Sequence, residues 1–452
     1  MQDSIHELYE NHVYPAMSHP LSDPAVSAVA ARIGGLKTAH PAKARILEIG
    51  CCSGHNLIPL AMRWPDSEFI GIDLAETSIR EANARAAVAG VTNVIFHAAD
   101  LRDFKPEGGP FDFIIAHGFF SWVPDEVKAA LLDFCREHLS AAGIATISFN
   151  LECGWAARQP VIQKVRAIQQ AKGGDVVSAL EILRMVTEPD SPEIAIIDDM
   201  FAKGPAILAF DDFGPLNDPW PLDRFVHEAA SADLRWLGES DPAENFPSNL
   251  SDEVINRLAK EIADPLALQL AADAAAGRTF RSGVLCRTAA PVEARVHLGM
   301  VFDFSVRAGA APSAPPALEI WRAIDSFAPA CVTMREVAAV LPEWDERELA
   351  TQVFDGITSG WILARIESLK YDPEPPEIPC LNAFRLFCAR EKLPLVDAWH
   401  KPCQFPETHY AVLAAMEGTR NLAELAAFSK IHCPELAFAP WLRHLAWRGM
   451  FT

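Results

Sequence analysis

The chain has 452 residues, half of them apolar, which is enough for large cores and for two to four domains. Its formal net charge of −21 argues against nucleic acid and against an anionic membrane surface as partners. The first residues lack the apolar run of a secretory signal, and no uninterrupted apolar run reaches the ~18 residues of a membrane span. We therefore predict a cytoplasmic protein without membrane insertion.

The ten cysteines are scattered along the chain and form no C-x-x-C pair. A zinc ribbon is therefore not expected, and we predict no metal site. Because no secretory signal is evident, we expect reduced thiols that are mostly buried.

Between residues 43 and 157 the sequence alternates between strand-like and helical segments. The predicted strands read, in chain order, ARILEI, EFIGID, NVIFHAAD, FDFIIA and IATISFN. Helical segments such as AETSIREANARAAVAG and PDEVKAALLDFCREHL separate them. Strands that alternate with helices of ~10–15 residues indicate βαβ units and a parallel sheet covered on both faces. The predicted fold class is therefore α/β, with a Rossmann-like domain at residues 43–157.

The rest of the chain is predicted to form accessory segments. Residues 1–42 precede the first strand as a helical or lid segment, and residues 158–295 are predicted to form a helical middle domain. The stretch GAAPSAPPA, residues 309–317, has the composition of a linker. After it, residues 315–452 contain helices in a winged-helix-like order, with a second proline-rich break at YDPEPPEIPC.

The first strand runs into a glycine-containing loop, RILEIGCCSG. A dinucleotide-binding loop needs the pattern G-x-G-x-x-G, so that the pyrophosphate can approach the backbone. Here Gly50 and Gly54 have the spacing G-x-x-x-G, and Cys52 stands where the middle glycine is needed. The loop therefore argues against a dinucleotide, although the glycine spacing alone does not identify another ligand.

Three acids near the loop are more informative than the glycines. Glu48, Asp73 and Asp100 lie at or near the ends of the first three predicted strands, at the sheet edge where open α/β folds bind ligands. Three carboxylates would repel a pyrophosphate, whereas S-adenosylmethionine has no phosphate and presents an ammonium, a ribose diol and an adenine amino group. We predict that Asp73 accepts from the ribose, Asp100 from the adenine, and that Glu48 holds the loop or contacts the amino-acid part.

Each of these residues also has a purely structural interpretation. Asp73 could cap the next helix, and Asp100 could be an ordinary loop carboxylate. Cys51 and Cys52 are expected to be small buried loop residues and not nucleophiles. The ordered set of acids makes the cofactor interpretation the better one.

The motifs resemble class I methyltransferases that carry a methyltransferase regulatory domain, a group that includes protein lysine methyltransferases acting on rickettsial outer-membrane proteins. The resemblance lies in RILEIGCCSGHNLIPLAMRWPDSEFIGIDL and in FDFIIAHGFFSWVPDEVKAALLDFCREHLSAAGIATISFNLECGW. It continues through FDDFGPLNDPWPLDRFVHEAASADLRWLGE, RTFRSGVLCR and MEGTRNLAEL. It implies an S-adenosylmethionine site with His117 in the motif after the fourth strand, and a protein lysine as the methyl acceptor.

A sulfonium methyl group is already activated, so catalysis would depend mainly on in-line alignment of an uncharged amine. The loops above the sheet offer His117, Trp122 and Asn150 as catalytic candidates, with Glu152 as a weaker one. His117 could instead cap a turn, Trp122 could be a core residue, and Asn150 could be a turn residue.

Two of the four tyrosines in the chain lie before the first strand, in SIHELYENHVYPAMSHP. A segment in this position can fold over the cofactor as a lid, so Tyr9 and Tyr14 are expected to contact cofactor or acceptor. Alternatively they only anchor a surface helix. The complete set of predicted cofactor contacts is Tyr9, Glu48, Gly50, Cys51, Gly54, Asp73, Leu74, Asp100, Leu101 and His117, and the predicted catalytic set is Tyr14, His117, Trp122 and Asn150.

The sequence departs from the family pattern at Phe120 and Phe149, where relatives commonly have tyrosine. Because lysine sites often use tyrosine hydroxyls, these positions affect the prediction of the acceptor. The leading hypothesis is a methyltransferase acting on a protein or peptide nitrogen. The alternatives are a small-molecule biosynthetic methyltransferase, with a possible homodimer contact through the accessory domains, and a non-catalytic regulatory protein that retains the fold.

Overall fold

The computed structural model describes residues 14–295 and 297–451. A seven-stranded sheet forms its centre, with the strand order β3-β2-β1-β4-β5-β7-β6. The neighbours among β1 to β5 pair in parallel, whereas β7 is antiparallel to both β5 and β6. The strands of this sheet are β1 (Arg45–Ile49), β2 (Glu68–Asp73), β3 (Val94–Ala98), β4 (Phe111–Ala116), β5 (Leu139–Asn150), β6 (Leu234–Glu239) and β7 (Phe280–Arg287).

Helices cover both faces of the sheet, as the alternating sequence pattern predicts. Two separate clusters of buried apolar side chains fill the space between the helices and the sheet. The helices of this part are α1 (Pro24–Ile33), α2 (Leu57–Arg63), α3 (Glu76–Ala89) and α4 (Asp125–His138). This order is that of the Rossmann-like class I methyltransferase fold, so the predicted fold class is confirmed.

Strands β6 and β7 come from the range that the sequence analysis assigned to a helical middle domain. The sheet therefore extends beyond residue 157, and β7 pairs along β5 from Ile144 to Asn150. The sequence of β7 does not indicate that the strand is buried, because its second residue is the charged Arg281. Arg281 is fully buried and its charge is balanced by Glu239 at 2.7 Å and Asp273 at 2.8 Å.

The remaining helices of the middle region lie between β5 and β7. They are α5 (Glu152–Lys172), α6 (Val176–Val186), α7 (Glu193–Asp211), α8 (Leu222–Ser231), α9 (Asp252–Glu261) and α10 (Pro265–Ala276). Helices α5, α6 and α7 share a small apolar core of their own. Helix α7 is kinked at Gly204, which has a φ of +78° and precedes Pro205. The kink directly follows Lys203. The part of the helix after the kink reaches the cavity described below.

A three-stranded sheet with the order β10-β8-β9 follows the main sheet. Its elements are β8 (Ser305–Ala308), α11 (Ala317–Asp325), β9 (Val332–Thr333), α12 (Met334–Ala339), α13 (Glu346–Thr358) and β10 (Ile362–Arg365). Because β8 lies before the proline-rich stretch 309–317 and pairs with β9 and β10 after it, this stretch is a loop within one unit. The predicted start of this unit at residue 315 is therefore too late, since composition identifies a loop but not what it connects.

The last part of the chain packs against the methyltransferase sheet domain. It contains α14 (Ala383–Arg390), β11 (Leu395–Val396), β12 (Pro402–Cys403), α15 (Glu407–Ala414), α16 (Leu422–His432) and α17 (Phe438–Trp447). Its buried apolar residues, among them Phe384 and Leu395, belong to the same cluster as Ala82 of α3 and Leu60 of α2. None of the helices that the structure describes is both long and apolar enough to cross a lipid bilayer.

Gly71 in the middle of β2 provides a test of this packing. A Cβ atom there would lie 2.5 Å from Phe96 Cδ1 and 2.8 Å from the Cys51 sulfur, so Gly71→Ala should lower the free energy of unfolding by about 1–3 kcal/mol. Denaturant unfolding measures the loss. Gly109→Ala is the control, because a Cβ at Gly109 meets nothing within 4 Å. Equal stability of the two variants would contradict the packing around β2.

Candidate functional site

A cavity of about 520 Å3 opens at the carboxyl ends of β1, β2 and β4, the edge at which the sequence analysis placed the ligand. It lies within the size range of cofactor and ligand pockets. The predicted residues that line it are Tyr14, Glu48, Gly50, Cys51, Asp73, Leu74, Asp100, Leu101, His117, Trp122 and Asn150. Gly54 does not line the cavity, and Tyr9 lies outside the described residues.

The loop after β1 is held tightly against β2. The Gly50 amide donates to the Ile72 carbonyl at 2.8 Å, and the Cys52 amide donates to the Asp73 carboxylate at 2.8 Å. Gly50 and Gly54 have φ values of +75° and +73°, and Cys52 has a φ of +46°. The two glycines are thus needed for the turn, since side chains other than that of glycine rarely adopt such a backbone. A Cβ at Gly54 would also lie 2.8 Å from the Phe96 ring.

Asp73 and Asp100 differ in what already binds their carboxylates. Asp73 accepts from the backbone amides of Cys52 and Ala75 at 2.8 and 2.9 Å, so it fixes the glycine loop and the turn that precedes the next helix. Asp100 accepts from the side chain and the amide of Arg102, which holds the pKa of the Asp100 carboxyl below its ordinary value. The alternative that Asp73 is the N-cap of the next helix is wrong, because Ala75 takes that position without a side-chain cap, and Asp73 lines the cavity.

Glu48 is the most perturbed acid of the site. Its side chain is 3% exposed, and burial raises its pKa to about 8, with a smaller contribution from the charge of Asp73. One oxygen, Oε1, accepts from the Asn56 side chain at 2.6 Å, which opposes this rise. The other oxygen, Oε2, is buried and has no hydrogen-bond partner among the described residues. With this pKa the Glu48 side chain is mostly protonated at neutral pH in the absence of ligand. A cationic ligand group beside Oε2 would favour the ionised carboxylate.

Two histidine rings stack at the cavity, with 4.0 Å between the ring centroids of His19 and His117. Burial lowers the pKa of His19 to about 4 and that of His117 well below its ordinary value, so both rings are neutral at pH 7. The Nδ1 atom of His117 is buried without a partner in the described part of the chain. The sequence analysis found His117 but missed His19, whose position in the segment SIHELYENHVYPAMSHP that was expected to cover the cofactor is the available local signal.

A second group of cavity-lining residues comes from the N-terminal segment, from the short turn Phe120–Trp122 after β4, and from α5 and α7. The Trp122 and Trp155 rings meet edge to face at 6.4 Å between centroids. Tyr14 donates its hydroxyl to Asp211 Oδ1 at 3.3 Å, and burial is the main cause that raises the pKa of Asp211 to about 6. Of these four cavity-lining residues, the sequence analysis named only Tyr14 and Trp122.

The neighbouring charges in this group are mutually paired. Asp212 is buried and accepts from Arg158 at 3.1 Å and from Lys203 at 2.8 Å. Arg158 also pairs with Asp199 at 2.7 Å. Asp211 lines the cavity beside Tyr14, and the charges of Lys203 and Arg158 oppose the rise of its pKa that burial causes.

The sequence analysis gave weight to two phenylalanines that the structure places elsewhere. Phe120 and Phe149 are buried, do not line the cavity, and pack with Trp220 and Phe225 in the core. A tyrosine ring at either position would therefore lie in the core and would not line this cavity. Asn150 does line the cavity, and its amide group is oriented by a hydrogen bond to Asn217 at 2.9 Å.

Glu48 should destabilise the protein without ligand above mildly acidic pH. Its pKa is about 8 in the folded chain but ordinary, about 4.5, when unfolded, so folding stability falls as pH rises between these values, by up to about 1.4 kcal/mol per pH unit. Glu48→Gln removes this penalty. We expect the variant to melt at a higher temperature than the native chain, by a margin that widens from pH 5 to pH 8.

Thermal melting at a series of pH values measures this margin. Glu152→Gln is the control, because Glu152 is exposed on α5. A margin for Glu48→Gln that does not change with pH would contradict the raised pKa of Glu48.

Comparison with known sequences identifies two domains in the chain. Residues 46–143 match the family described as "Methyltransferase domain", and residues 204–287 match the family described as "Predicted methyltransferase regulatory domain". The first match spans β1 to the start of β5, and the second spans the end of α7 through β7. The methyltransferase domain also confirms the prediction of S-adenosylmethionine as the cofactor of this fold.

Two curated relatives come from Rickettsia prowazekii (strain Madrid E). The uncharacterized protein RP789 is 26% identical over 322 residues, which cover 69% of this chain and 58% of that protein. The uncharacterized protein RP028 is 33% identical over 147 residues, which cover 32% of this chain and 59% of that protein. The chain thus spans just under three fifths of the length of each relative.

Among solved structures, PKMT2 from Rickettsia typhi in complex with AdoHcy superimposes with a TM-score of 0.81. The match covers 97% of this chain and 99% of that chain, at 18% sequence identity. The likeness therefore extends over the accessory segments as well as the sheet domain. The resemblance recognised in the sequence is confirmed: the chain carries a class I methyltransferase domain together with a methyltransferase regulatory domain.

Proposed function

We propose that this protein is an S-adenosylmethionine-dependent methyltransferase whose acceptor is a nitrogen of a protein or peptide, with a lysine side chain as the favoured acceptor. The observation that carries the proposal is the unpaired, buried oxygen of Glu48, beside a glycine loop and in the same cavity as an aromatic and acidic wall. One half of the cavity thus fits the cofactor, and the other half fits a cation on an aliphatic stem.

The residues of the first half fit each part of the cofactor. The Glu48 oxygen that lacks a partner among the described residues can accept from an ammonium, and the glycine loop lets the backbone close on the methionine end of the cofactor. Asp73 lies at the end of β2 for the ribose, and Leu74 and Leu101 line the cavity beside Asp100 for the adenine. When bound, the cofactor supplies an activated methyl group, so the protein has to align the acceptor and exclude water.

The second half fits the acceptor amine. Asp211 can attract an ammonium and orient it, and Tyr14 holds that carboxylate in place. Trp122 and Trp155 provide aromatic walls against which an aliphatic stem packs and a cation is stabilised. The amine must lose its proton before it accepts a methyl group, and removal from water favours the neutral form.

The pKa values divide the roles among the titratable groups. An effective general base has a pKa near the working pH. His117 is far more acidic than that, so we assign it to hydrogen bonding with the ligands and not to proton removal. Asp211, with a pKa of about 6, is ionised at neutral pH and is the better group to receive or hold the proton of the amine.

The accessory regions complete the proposal. The middle region contributes the acceptor wall through Trp155, Lys203 and Asp211, which supports a role in substrate selection. We keep the winged-helix-like description of residues 315–452, now with β8 included, and give this region a role in protein contacts. A cytoplasmic location and a homodimer stay predictions from the sequence.

A labelling experiment tests the reaction. Purified protein is incubated with methyl-labelled S-adenosylmethionine and a cleared lysate, and the products are separated into macromolecules and small molecules. We expect label in discrete polypeptides, on lysine, and loss of this label in Asp73→Ala because that variant removes the ribose acceptor and loosens the loop.

Label that appears only in the small-molecule fraction would contradict a protein acceptor and favour a biosynthetic role. Absence of label in both fractions, with the cofactor bound, would favour the regulatory alternative. Melting curves of Asp73→Ala show whether its loss of activity reflects unfolding.

The variant Asp211→Asn tests the acceptor wall. It keeps the shape of the side chain but removes the charge, so the KM for a lysine-containing substrate should rise about ten-fold while the affinity for S-adenosylhomocysteine stays unchanged. Steady-state kinetics and calorimetry measure the two quantities. Asp198→Asn, an exposed residue of the same helix that pairs with Arg184, is the matched control. An unchanged KM in Asp211→Asn would remove Asp211 from the acceptor site.

A further inference from the structure

The C-terminal part of the chain reaches the network behind the cofactor loop. His400, in the loop between β11 and β12, is fully buried, and its Nε2 lies 2.7 Å from the Asn56 side-chain oxygen. The two residues are 344 positions apart in the sequence. His400 does not line the cavity, whereas Asn56 does. The described hydrogen bond by which the His400 side chain reaches a cavity residue is thus the one to Asn56.

The chemistry of the amide fixes the direction of each hydrogen bond. The Asn56 oxygen can only accept, so His400 carries its proton on Nε2 and donates. The same oxygen accepts from the backbone amide of His19 at 2.8 Å. The Asn56 amide nitrogen then donates to Glu48 Oε1 at 2.6 Å and to Ser22 at 3.0 Å. With two N–H donors on its oxygen, Asn56 cannot rotate by half a turn without placing N–H groups against each other.

The orientation of Asn56 decides which Glu48 oxygen is available. Because the amide nitrogen occupies Oε1, the unpaired Oε2 is the oxygen left for a ligand cation. A reversed amide would place two oxygens against each other and push the carboxylate out of position. The donor from His400 is thus one of the contacts that keep the carboxylate in its binding position.

His400 has an uncommon backbone conformation for its type. Its φ is +61°, in the left-handed region that favours glycine. The loop is held by Asp397, which accepts from the amides of Trp399 and Lys401 at 2.9 and 2.8 Å and pairs with Arg448 at 2.7 Å. A strained backbone that the surroundings hold in place is typical of residues under a functional constraint.

Further contacts tie this loop to the methyltransferase domain. His55 Nε2 lies 2.9 Å from the Pro394 carbonyl oxygen, and Arg63 donates to the Ala398 carbonyl at 2.7 Å. Arg63 also pairs with the buried Asp23 at 2.7 Å. His55 and Asn56 directly follow the glycine loop, so the C-terminal loop contacts the cofactor side of the domain at several adjacent points.

We propose that His400 is a positioning residue for cofactor binding, which acts by donating to Asn56 and thereby holding the Glu48 carboxylate toward the cavity. The C-terminal segment is then part of the cofactor site and not only a cover or a substrate-binding extension. This inference rests on the proposed function, because it assumes that the cavity binds S-adenosylmethionine and its product.

The test measures the Kd of the full chain for S-adenosylhomocysteine by calorimetry, together with the melting temperature. His400→Leu fills the space but cannot donate, so we expect a Kd at least about ten-fold higher than that of the native chain. His400→Gln keeps an N–H donor at a similar reach, and its Kd should stay within about three-fold of the native value. In an Asn56→Ala background, His400→Leu should cause no further loss.

Leu395→Ala is the matched control for structural damage. Leu395 is fully buried in the same segment, and the hydrogen bonds described for the Asn56 side chain do not include it, so this variant should lower the melting temperature but leave the Kd unchanged. If His400→Leu fails to fold, His400→Asn replaces it, because asparagine tolerates the left-handed backbone and its short side chain does not reach Asn56.

The outcomes separate the two proposals. If the native chain does not bind S-adenosylhomocysteine, the proposed function fails and this inference fails with it. If the native chain binds but His400→Leu binds equally well, or if Leu395→Ala weakens binding as much as His400→Leu does, only the role of His400 is overturned. Failure of His400→Gln to restore binding also overturns it.

Discussion

The rest of the site depends on the burial of one carboxyl group, Glu48, at the end of the first strand. Burying a carboxylate is costly unless it is paired, and here only one of its two oxygens has a described partner. The fold provides the surroundings that make this possible: a glycine loop on one side, stacked neutral histidines, and an asparagine that orients the acid. The buried Glu48 thus lowers the free energy of unfolding of the ligand-free protein. A cationic ligand group that pairs with Glu48 would raise this free energy again.

This constraint explains why distant parts of the chain meet at one point. Asn56 receives hydrogen bonds from His19 before the first strand and from His400 near the C-terminus. Asp23 likewise pairs with Arg63 of the sheet domain and with Arg365 of the small sheet. Because these groups are buried and charged or polar, each one destabilises the fold if its partner moves. Buried polar contacts therefore hold the N-terminal segment, the small sheet and the C-terminal segment against the methyltransferase domain near the site.

The sequence predicts those features that depend on neighbouring residues. The parallel strands, the glycine loop and the acids at the strand ends follow from local periodicity and from the rule that strand ends share an edge. Strand β7 could not be predicted in this way, because the charged Arg281 stands near its start. The charge of Arg281 is balanced by Glu239 and Asp273, which belong to other elements. Periodicity does not reveal such a partner.

The residues of the candidate site also fall into two groups, those that the local sequence pattern predicts and those that it does not. Glu48, Asp73 and His117 belong to segments with clear strand signals, so their positions could be predicted. Asp211 could not, since its role depends on Tyr14, which is 197 residues away. The weight given to Phe120 and Phe149 shows the opposite error: both lie close in sequence to cavity residues, but their side chains point into the core.

A crystal structure of the chain with S-adenosylhomocysteine tests the central claim most directly. The account predicts that the ammonium of the bound product lies within hydrogen-bond distance of Glu48 Oε2, about 2.7–3.2 Å, with the ribose hydroxyls on Asp73. The Asn56 side chain should keep its orientation, with its oxygen facing His400. A product bound with its amino group away from Glu48, or bound outside this cavity, would contradict the account.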